Sequence, residues 1–145
     1  MKNTIFTGMA TAIVTPMTET GIDYDALGRL IEFQIESGIN AIVVMGTTGE
    51  NATIEPADQE KVIRYTIEKV AHRIPVIAGT GTNNTEHVIA NTKAACAAGA
   101  DAVLGHGGND GGGHAGEYGV LHRIQLLLDR VHFLAGEGLD PPLHF

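Results

Sequence analysis

The sequence predicts an α/β fold: a parallel sheet of about four βα units in residues 1–104, followed by a tail of different composition. Short β-favouring segments begin near residues 10, 41, 75 and 101, at intervals of roughly 30 residues, the length of one βα unit. Segments with apolar residues at helical spacing lie between them. Such units form either an open doubly wound sheet or part of an eight-stranded barrel, which usually takes about 250 residues.

Each predicted strand is a short apolar segment. Residues 10–15 (ATAIVT) end at Pro16, which cannot donate a hydrogen bond to a sheet. Residues 41–45 are apolar throughout, as expected of a strand that is buried on both faces. Residues 75–78 (PVIA) and 101–104 (DAVL) are the third and fourth predicted strands.

Capping residues mark the helices between these strands. Asp23 predicts the start of a helix that runs to about Ser37. Pro56 fits the first turn of a second helix, which extends to about His72.

A capping box predicts the third helix. Asn83 precedes Glu86 by three residues, a spacing at which each side chain can bond the other residue's amide. The helix is therefore expected from about residue 84 to Ala98, where Gly99 provides the stop.

Composition excludes several classes of protein. A formal net charge of −8 argues against a nucleic-acid surface, because phosphate binding requires clustered Lys and Arg. No apolar run approaches the roughly 18 residues that a membrane span requires. The N-terminal segment does not resemble a secretory signal, and a single cysteine, Cys96, fits a reducing compartment. We therefore expect a soluble cytoplasmic protein, with neither nucleic acid nor membrane as its partner.

The tail differs in composition from the rest of the chain. Residues 105–145 hold ten of the nineteen glycines, five of the seven histidines and no lysine. Residues 105–116 have the composition of a flexible linker. In the remaining residues, 117–145, apolar side chains at helical spacing predict an amphipathic helix over about 117–135.

Histidines of the linker could bind a metal together with a carboxylate. His106 and His114, with Asp110 between them, match the spacing of no standard metal site. Ordering so glycine-rich a segment would also cost much conformational entropy. The prediction is therefore no metal site.

Two loops that follow predicted strands carry the candidate chemistry. They are MGTTGEN (residues 45–51) and GTGTNNT (residues 79–85), and the carboxyl ends of parallel strands meet at one edge of a sheet. Glycines let backbone N–H groups approach a ligand and hydroxyls add orientable donors, so the loops suit a carboxylate or a phosphate. Phosphate is disfavoured because neither loop contains Lys or Arg. The alternative is that Thr47 and Thr48 only satisfy hydrogen bonds within a turn.

Three segments resemble the dihydrodipicolinate synthase family of pyruvate-dependent aldolases: AIVTPM (residues 12–17), VMGTTGEN (residues 44–51) and RIPVIAGTGTNNT (residues 73–85). The resemblance covers residues 5–104 and implies the N-terminal half of a (β/α)8 barrel, in a family that is usually homotetrameric. It also implies a lyase of lysine and diaminopimelate biosynthesis, which condenses pyruvate with aspartate β-semialdehyde. The reaction proceeds through a Schiff base on a lysine, with no separate cofactor.

The resemblance implies roles for individual residues as well. Thr48, with the backbone near Gly46 and Thr47, holds the pyruvate carboxylate. Thr47 takes part in a proton relay between two tyrosines. In some members of the family, the position of Asn83 lies near a feedback site for lysine.

The same resemblance implies that part of the catalytic machinery is missing. The family's Schiff-base lysine lies on the sixth strand, whereas the lysines of this sequence are Lys2, Lys61, Lys69 and Lys93. The relay tyrosines follow the fourth strand in the family, where this sequence reads GHGGN (residues 105–109). We therefore expect a truncated member of the family that is inactive alone.

Two other interpretations remain open at the level of sequence. One is another pyruvate-dependent aldolase, such as a sugar-acid lyase. The other is a non-catalytic fragment that docks on a partner. The change of composition in mid-motif also suggests a chain that left the family's reading frame near residue 105.

Overall fold

The computed structural model describes residues 5–105 and 119–122. This part of the chain forms a five-stranded sheet, a two-stranded ribbon and three α-helices. In chain order the elements are β1 (Ala10–Ala12), β2 (Met17–Thr18), β3 (Gly21–Ile22), α1 (Tyr24–Glu36), β4 (Ala41–Val44), α2 (Pro56–Val70), β5 (Val76–Gly79), α3 (Thr85–Ala98), β6 (Ala102–Gly105) and β7 (Gly119–His122). Two 3₁₀ turns, Thr47–Gly49 and Asn51–Thr53, lie between β4 and α2.

The four predicted strands form the parallel part of the sheet. Its order is β1-β4-β5-β6, and every neighbouring pair in it is parallel. Each new strand therefore adds to the same edge, without the reversal of direction that marks a doubly wound sheet.

All three helices pack on one face of this sheet. That face holds the main buried cluster, which includes Leu27, Ile31, Ile42, Val44, Val62, Val70, Val76, Ala78, Ala95 and Val103. The opposite face carries a smaller cluster around Ala41, Ile77 and Ala102, against which Ile5 and Phe6 pack. A doubly wound sheet has helices on both faces, whereas a (β/α)8 barrel has them only outside. The described residues thus form an arc of four barrel strands, as predicted.

The first two helices begin at the predicted residues. The Asp23 side chain accepts a hydrogen bond from the Ala26 amide at 2.8 Å and caps α1. Pro56 is the first residue of α2. That helix ends at Val70, two residues before the predicted end, because Ala71 and His72 take a left-handed conformation.

The predicted cap of α3 is wrong by one residue. Asn84, rather than Asn83, is the N-cap, and its side chain accepts hydrogen bonds from the amides of Glu86 (2.9 Å) and His87 (3.2 Å). The hydroxyl of Thr82 accepts from the Asn84 amide and donates to the Asn84 carbonyl, which leaves Asn83 in the preceding loop.

The strand bounds also differ slightly from those predicted. β1 leaves the sheet after Ala12, although the Ile13 amide still donates to the Val43 carbonyl at 3.0 Å. β5 and β6 each begin and end one residue later than predicted.

The helix predicted over residues 117–135 is wrong at residues 119–122. These four residues form β7, which pairs antiparallel with β6, from Gly105 opposite Gly119 to Ala102 opposite His122. The edge of β6 offers unpaired N–H and C=O groups, and pairing with them outweighs a local helical pattern. The predicted linker, residues 105–116, begins one residue too early, because Gly105 belongs to β6 and pairs with Gly119. Residues 106–116, with the candidate metal ligands, and residues 123–135 lie outside the described residues.

Candidate functional site

The candidate loop continues directly from the end of β4. Met45 is fully buried and has a left-handed backbone conformation (φ 56°), which turns the chain sharply at the carboxyl end of the strand. The 3₁₀ turn Thr47–Gly49 follows, closed by hydrogen bonds from the Gly49 amide to the Gly46 carbonyl (3.0 Å) and from the Glu50 amide to the Thr47 carbonyl (3.1 Å). Backbone bonds therefore close this turn.

The side chains of Thr47 and Thr48 are exposed at the mouth of the sheet. Among residues 5–105, neither hydroxyl takes part in a hydrogen bond, whether with the turn or with a neighbouring loop. The first amides of a short helical turn also lack acceptors within it. Both hydroxyls are thus available to a ligand.

This loop packs directly on Gly79, the last residue of β5. A Cβ on Gly79 would overlap the Met45 carbonyl oxygen and would lie 2.8 Å from the Cα of Gly46. Only glycine lets the two backbones approach so closely. This contact fixes the height of the loop above the sheet.

Two side chains that sequence reasoning did not select attach the turn to its neighbours. The Thr15 hydroxyl, beyond the end of β1, donates to the Gly49 carbonyl at 2.8 Å. The Asn51 side chain donates to the Gly81 carbonyl in the next loop at 3.4 Å. Both residues lie in the motifs quoted above, but the contacts span 34 and 30 residues, so no local pattern indicates them.

A cavity of about 330 Å³ opens beside the turn, at the carboxyl ends of β4, β5 and β6. Most of its wall is backbone, because four glycines line it. Its lining residues are Met45, Gly46, Thr47, Asn51, Gly79, Gly81, Thr82, Asn83, Leu104 and Gly105. The cavity thus brings together Gly46 and Thr47 of the predicted site, whereas Thr48 lies outside its lining.

A larger cavity of about 770 Å³ lies next to the first, between the starts of α2 and α3. Asn51 and Asn83 line both cavities. Gln59 and His87 also line the larger one, and Gln59 donates to the Asn51 carbonyl at 2.7 Å. The side-chain amide of Asn51 therefore lies between the two cavities.

The described lysines lie on helices, on the outer side of the arc. Lys61 of α2 is 66% exposed and is hydrogen-bonded to Asp58 at 2.8 Å, which raises the pKa of its amine and keeps it charged. Lys69 lies 3.4 Å from Glu32, and Lys93 is exposed on α3. A Schiff-base amine must be neutral to attack a carbonyl, and none of these three reaches the strand ends.

The described tyrosines are equally remote from the turn. Tyr24 and Tyr65 stack edge to face, 5.0 Å between ring centroids, and the Tyr65 hydroxyl donates to the Tyr24 carbonyl at 2.8 Å. Both rings belong to the packing of α1 on α2. The partners that a relay through Thr47 would need are therefore absent from residues 5–105.

No helix in the described ranges has the length and hydropathy to cross a lipid bilayer.

Comparison with known proteins gives one consistent family. The profile of the Dihydrodipicolinate synthetase family matches residues 5–105. A 4-hydroxy-tetrahydrodipicolinate synthase from Acetivibrio thermocellus is 54% identical over 104 residues, which cover 72% of this chain and 36% of the relative. One from Thermoanaerobacter is 51% identical over 100 residues, 69% of this chain and 34% of the relative. The chain thus spans about a third of the length of the curated relatives it matches.

Solved structures agree with the sequence relatives. The dihydrodipicolinate synthase of Aquifex aeolicus superposes with a TM-score of 0.66 and 46% identity, covering 68% of this chain and 33% of that one. The chloride-inhibited synthase of Acinetobacter baumannii, solved as a complex with pyruvate, gives a TM-score of 0.72 and 38% identity, covering 96% of this chain and 44% of that one. The arc of parallel strands, the turn after β4 and the matched profile lead to one conclusion: the chain belongs to the dihydrodipicolinate synthetase family.

Proposed function

We propose that residues 5–105 carry the pyruvate-carboxylate subsite of a 4-hydroxy-tetrahydrodipicolinate synthase, which condenses pyruvate with aspartate β-semialdehyde. The observation that supports this most directly is the turn Thr47–Gly49, whose two exposed hydroxyls lack partners among residues 5–105 and stand at the strand ends. In this proposal the Thr48 hydroxyl, with the backbone amides near Gly46 and Thr47, binds the carboxylate of pyruvate. The hydroxyl of Thr47, which lines the cavity, would relay a proton only in an active site that also supplies the tyrosine partners absent from residues 5–105.

The choice of the synthase over a sugar-acid lyase has separate support. The relatives compared above are 4-hydroxy-tetrahydrodipicolinate synthases, and their identity to this chain is about one half over the matched region. The Aquifex and Acinetobacter structures are dihydrodipicolinate synthases as well.

The chemical step requires a lysine amine at the strand ends, and Lys61, Lys69 and Lys93 do not lie there. We therefore assign to residues 5–105 the binding of the pyruvate carboxylate, as part of a barrel, and expect no covalent adduct from this chain alone. Residues 106–116 and 117–145 are assigned to a linker and a tail that do not belong to the family. The single cysteine is consistent with a reducing cytoplasm as the site of this function.

Binding is tested by titrating the ¹⁵N-labelled chain with pyruvate and following the amides of residues 46–49. We expect shifts confined to this turn, and their loss in Thr48→Val, which keeps the side-chain shape and removes the hydroxyl. Thr20→Val is the control, because Thr20 is an exposed threonine in the turn between β2 and β3, and its hydroxyl is hydrogen-bonded to that of Thr18 at 3.1 Å. Shifts that persist in Thr48→Val would refute the assigned role of that hydroxyl.

The chemical step is tested by borohydride reduction in the presence of pyruvate, followed by mass spectrometry of the intact chain. The expected result is an unmodified mass. A reduced adduct on Lys61, Lys69 or Lys93 would overturn the assignment.

A further inference from the structure

We propose that Thr15 is a positioning residue for the carboxylate-binding turn: its hydroxyl holds the Gly49 carbonyl and thereby sets the direction of the Thr48 amide. The identity of the ligand, pyruvate, rests on the proposed function. The contact between Thr15 and Gly49 rests on geometry alone. Thr15 would act through the turn and would not touch pyruvate.

The contact is buried and short. Thr15 is 6% exposed, and its Oγ1 donates to the Gly49 carbonyl at 2.8 Å. Gly49 is itself buried against the end of β1, where a Cβ would lie 3.3 Å from the Thr15 hydroxyl and 3.4 Å from the Ile13 carbonyl. The turn therefore packs directly on the chain that leaves β1.

The bond constrains the turn because Gly49 is held on both sides. Its amide donates to the Gly46 carbonyl at 3.0 Å, which closes the turn, and its carbonyl accepts from Thr15. Glu50, the next residue, has a left-handed backbone at φ 55°, a conformation that costs free energy for a residue with a Cβ. Without the Thr15 hydroxyl, the buried Gly49 carbonyl would lose a hydrogen bond, and rotation of the 49–50 peptide would relieve both costs.

Such a rotation would change the binding site without unfolding it. The 49–50 peptide carries the Glu50 amide, which donates to the Thr47 carbonyl. Releasing that amide would free the Thr47 carbonyl, and the 47–48 peptide with its amide would turn away from the ligand. Thr15 should therefore control affinity for a carboxylate more strongly than it controls folding.

The chain provides a matched control for a lost threonine hydroxyl. Thr66 is fully buried in α2, and its hydroxyl donates to the Val62 carbonyl at the same distance of 2.8 Å. Thr66→Val therefore removes the same kind of bond at a site remote from the turn. Thr15→Val, Thr15→Ser and Thr66→Val form the test set.

The first readout is amide hydrogen exchange, which needs no ligand. We expect Thr15→Val to accelerate exchange at the Gly49 and Glu50 amides by at least tenfold while leaving the β5 amides protected, and Thr15→Ser to restore protection. Thr66→Val should leave the turn amides unchanged. Unchanged exchange at Gly49 and Glu50 in Thr15→Val, or an equal increase in Thr66→Val, would overturn the proposal.

The second readout is the dissociation constant for pyruvate. Thr15→Val is expected to raise it on the order of tenfold, with recovery in Thr15→Ser and no change in Thr66→Val. If the unmodified chain binds no pyruvate, the proposed function fails, whereas the exchange result still decides the role of Thr15. Should Thr15→Val fail to fold, Gly49→Ala tests the contact from the other side, because its Cβ would lie 3.3 Å from the Thr15 hydroxyl and push the two groups apart by a few tenths of an ångström. Gly49→Ala with normal exchange at Glu50 would then contradict the proposal.

Discussion

The backbones of Gly79 and Met45 lie so close together that a Cβ at position 79 would overlap the Met45 carbonyl. The contact joins the last residue of β5 to the first residue beyond β4, at the point where the chain turns into the candidate site. The shape of the candidate turn, residues 47–49, thus depends on a glycine in the neighbouring strand.

Gly79→Ala should both destabilise the fold and displace the loop that follows β4. The Cβ would overlap backbone atoms, which cannot move aside as a flexible side chain can, so we expect a loss of about 1–3 kcal/mol in the free energy of unfolding. Urea denaturation measures this loss. Gly46→Ala is the control for stability, because its Cβ would meet only Val43, at an ordinary 3.6 Å. Equal stabilities of the two variants would contradict the prediction.

Asn84→Ala should destabilise α3, whereas Asn83→Ala should not. The Asn84 side chain accepts from the amides of Glu86 and His87, and loss of such a cap costs about 1 kcal/mol. Thermal or urea unfolding of the two variants gives the comparison. An equal loss in both would show that the cap is not specific to position 84.

The pair of Glu32 and Arg73 should make stability depend on pH in the acid range. Arg73 donates two hydrogen bonds to the Glu32 carboxylate, at 2.7 and 2.9 Å, and these lower the pKa of Glu32 from 4.5 to about 2. Because the folded-state pKa is depressed, the contribution is complete above pH 4.5 and is lost as the pH falls towards 2.

This contribution is measured by unfolding experiments between pH 2 and 5 on the original chain and on Glu32→Gln. The difference between the two curves should shrink as the pH falls, and it should be smaller in high salt because the pair is partly exposed. A constant difference across this range would exclude the pair as its source.

Replacing both Val120 and Leu121 by proline should release the edge of β6. Successive amides of a strand point to opposite sides, so either Val120 or Leu121 donates its N–H towards β6. Proline has no N–H, so changing both residues removes that hydrogen bond. We expect faster exchange at β6 and increased self-association, measured by hydrogen exchange and size-exclusion chromatography. The same positions changed to threonine keep both amides and serve as the control, which should remain protected.

Local signals in the sequence predict local structure well here. Asp23 as a cap, Pro56 at the start of α2 and Gly99 after α3 each act within one helical turn, and the structure has all three at the predicted places. Asn83 and Asn84 are adjacent and chemically identical, so the sequence could not choose between them. The choice follows from the Thr82 hydroxyl, which bonds Asn84 on both its amide and carbonyl groups.

Contacts between distant segments could not be predicted from the sequence. The contact of Thr15 with Gly49 joins residues 34 apart, and the overlap of Gly79 with Met45 depends on how two strands pack, so neither leaves a pattern in adjacent residues. β7 is the clearest case, because its residues belong to a helical pattern and pair instead with β6. The turn 46–49 was located from the sequence, while the parts that hold it were not.

The inner face of the sheet has a consequence for whatever completes the barrel. A row of residues in register crosses this face: Val43 on β4, Ile77 on β5 and Ala102 on β6. Ile5 and Phe6, which precede β1, already pack against the buried members of the face. Barrel interiors are filled by layers of side chains from alternate strands, so strands that close this arc must fit around the volume that Ile5 and Phe6 occupy. The space beside these two side chains, rather than any catalytic group, therefore limits which strands can complete the barrel.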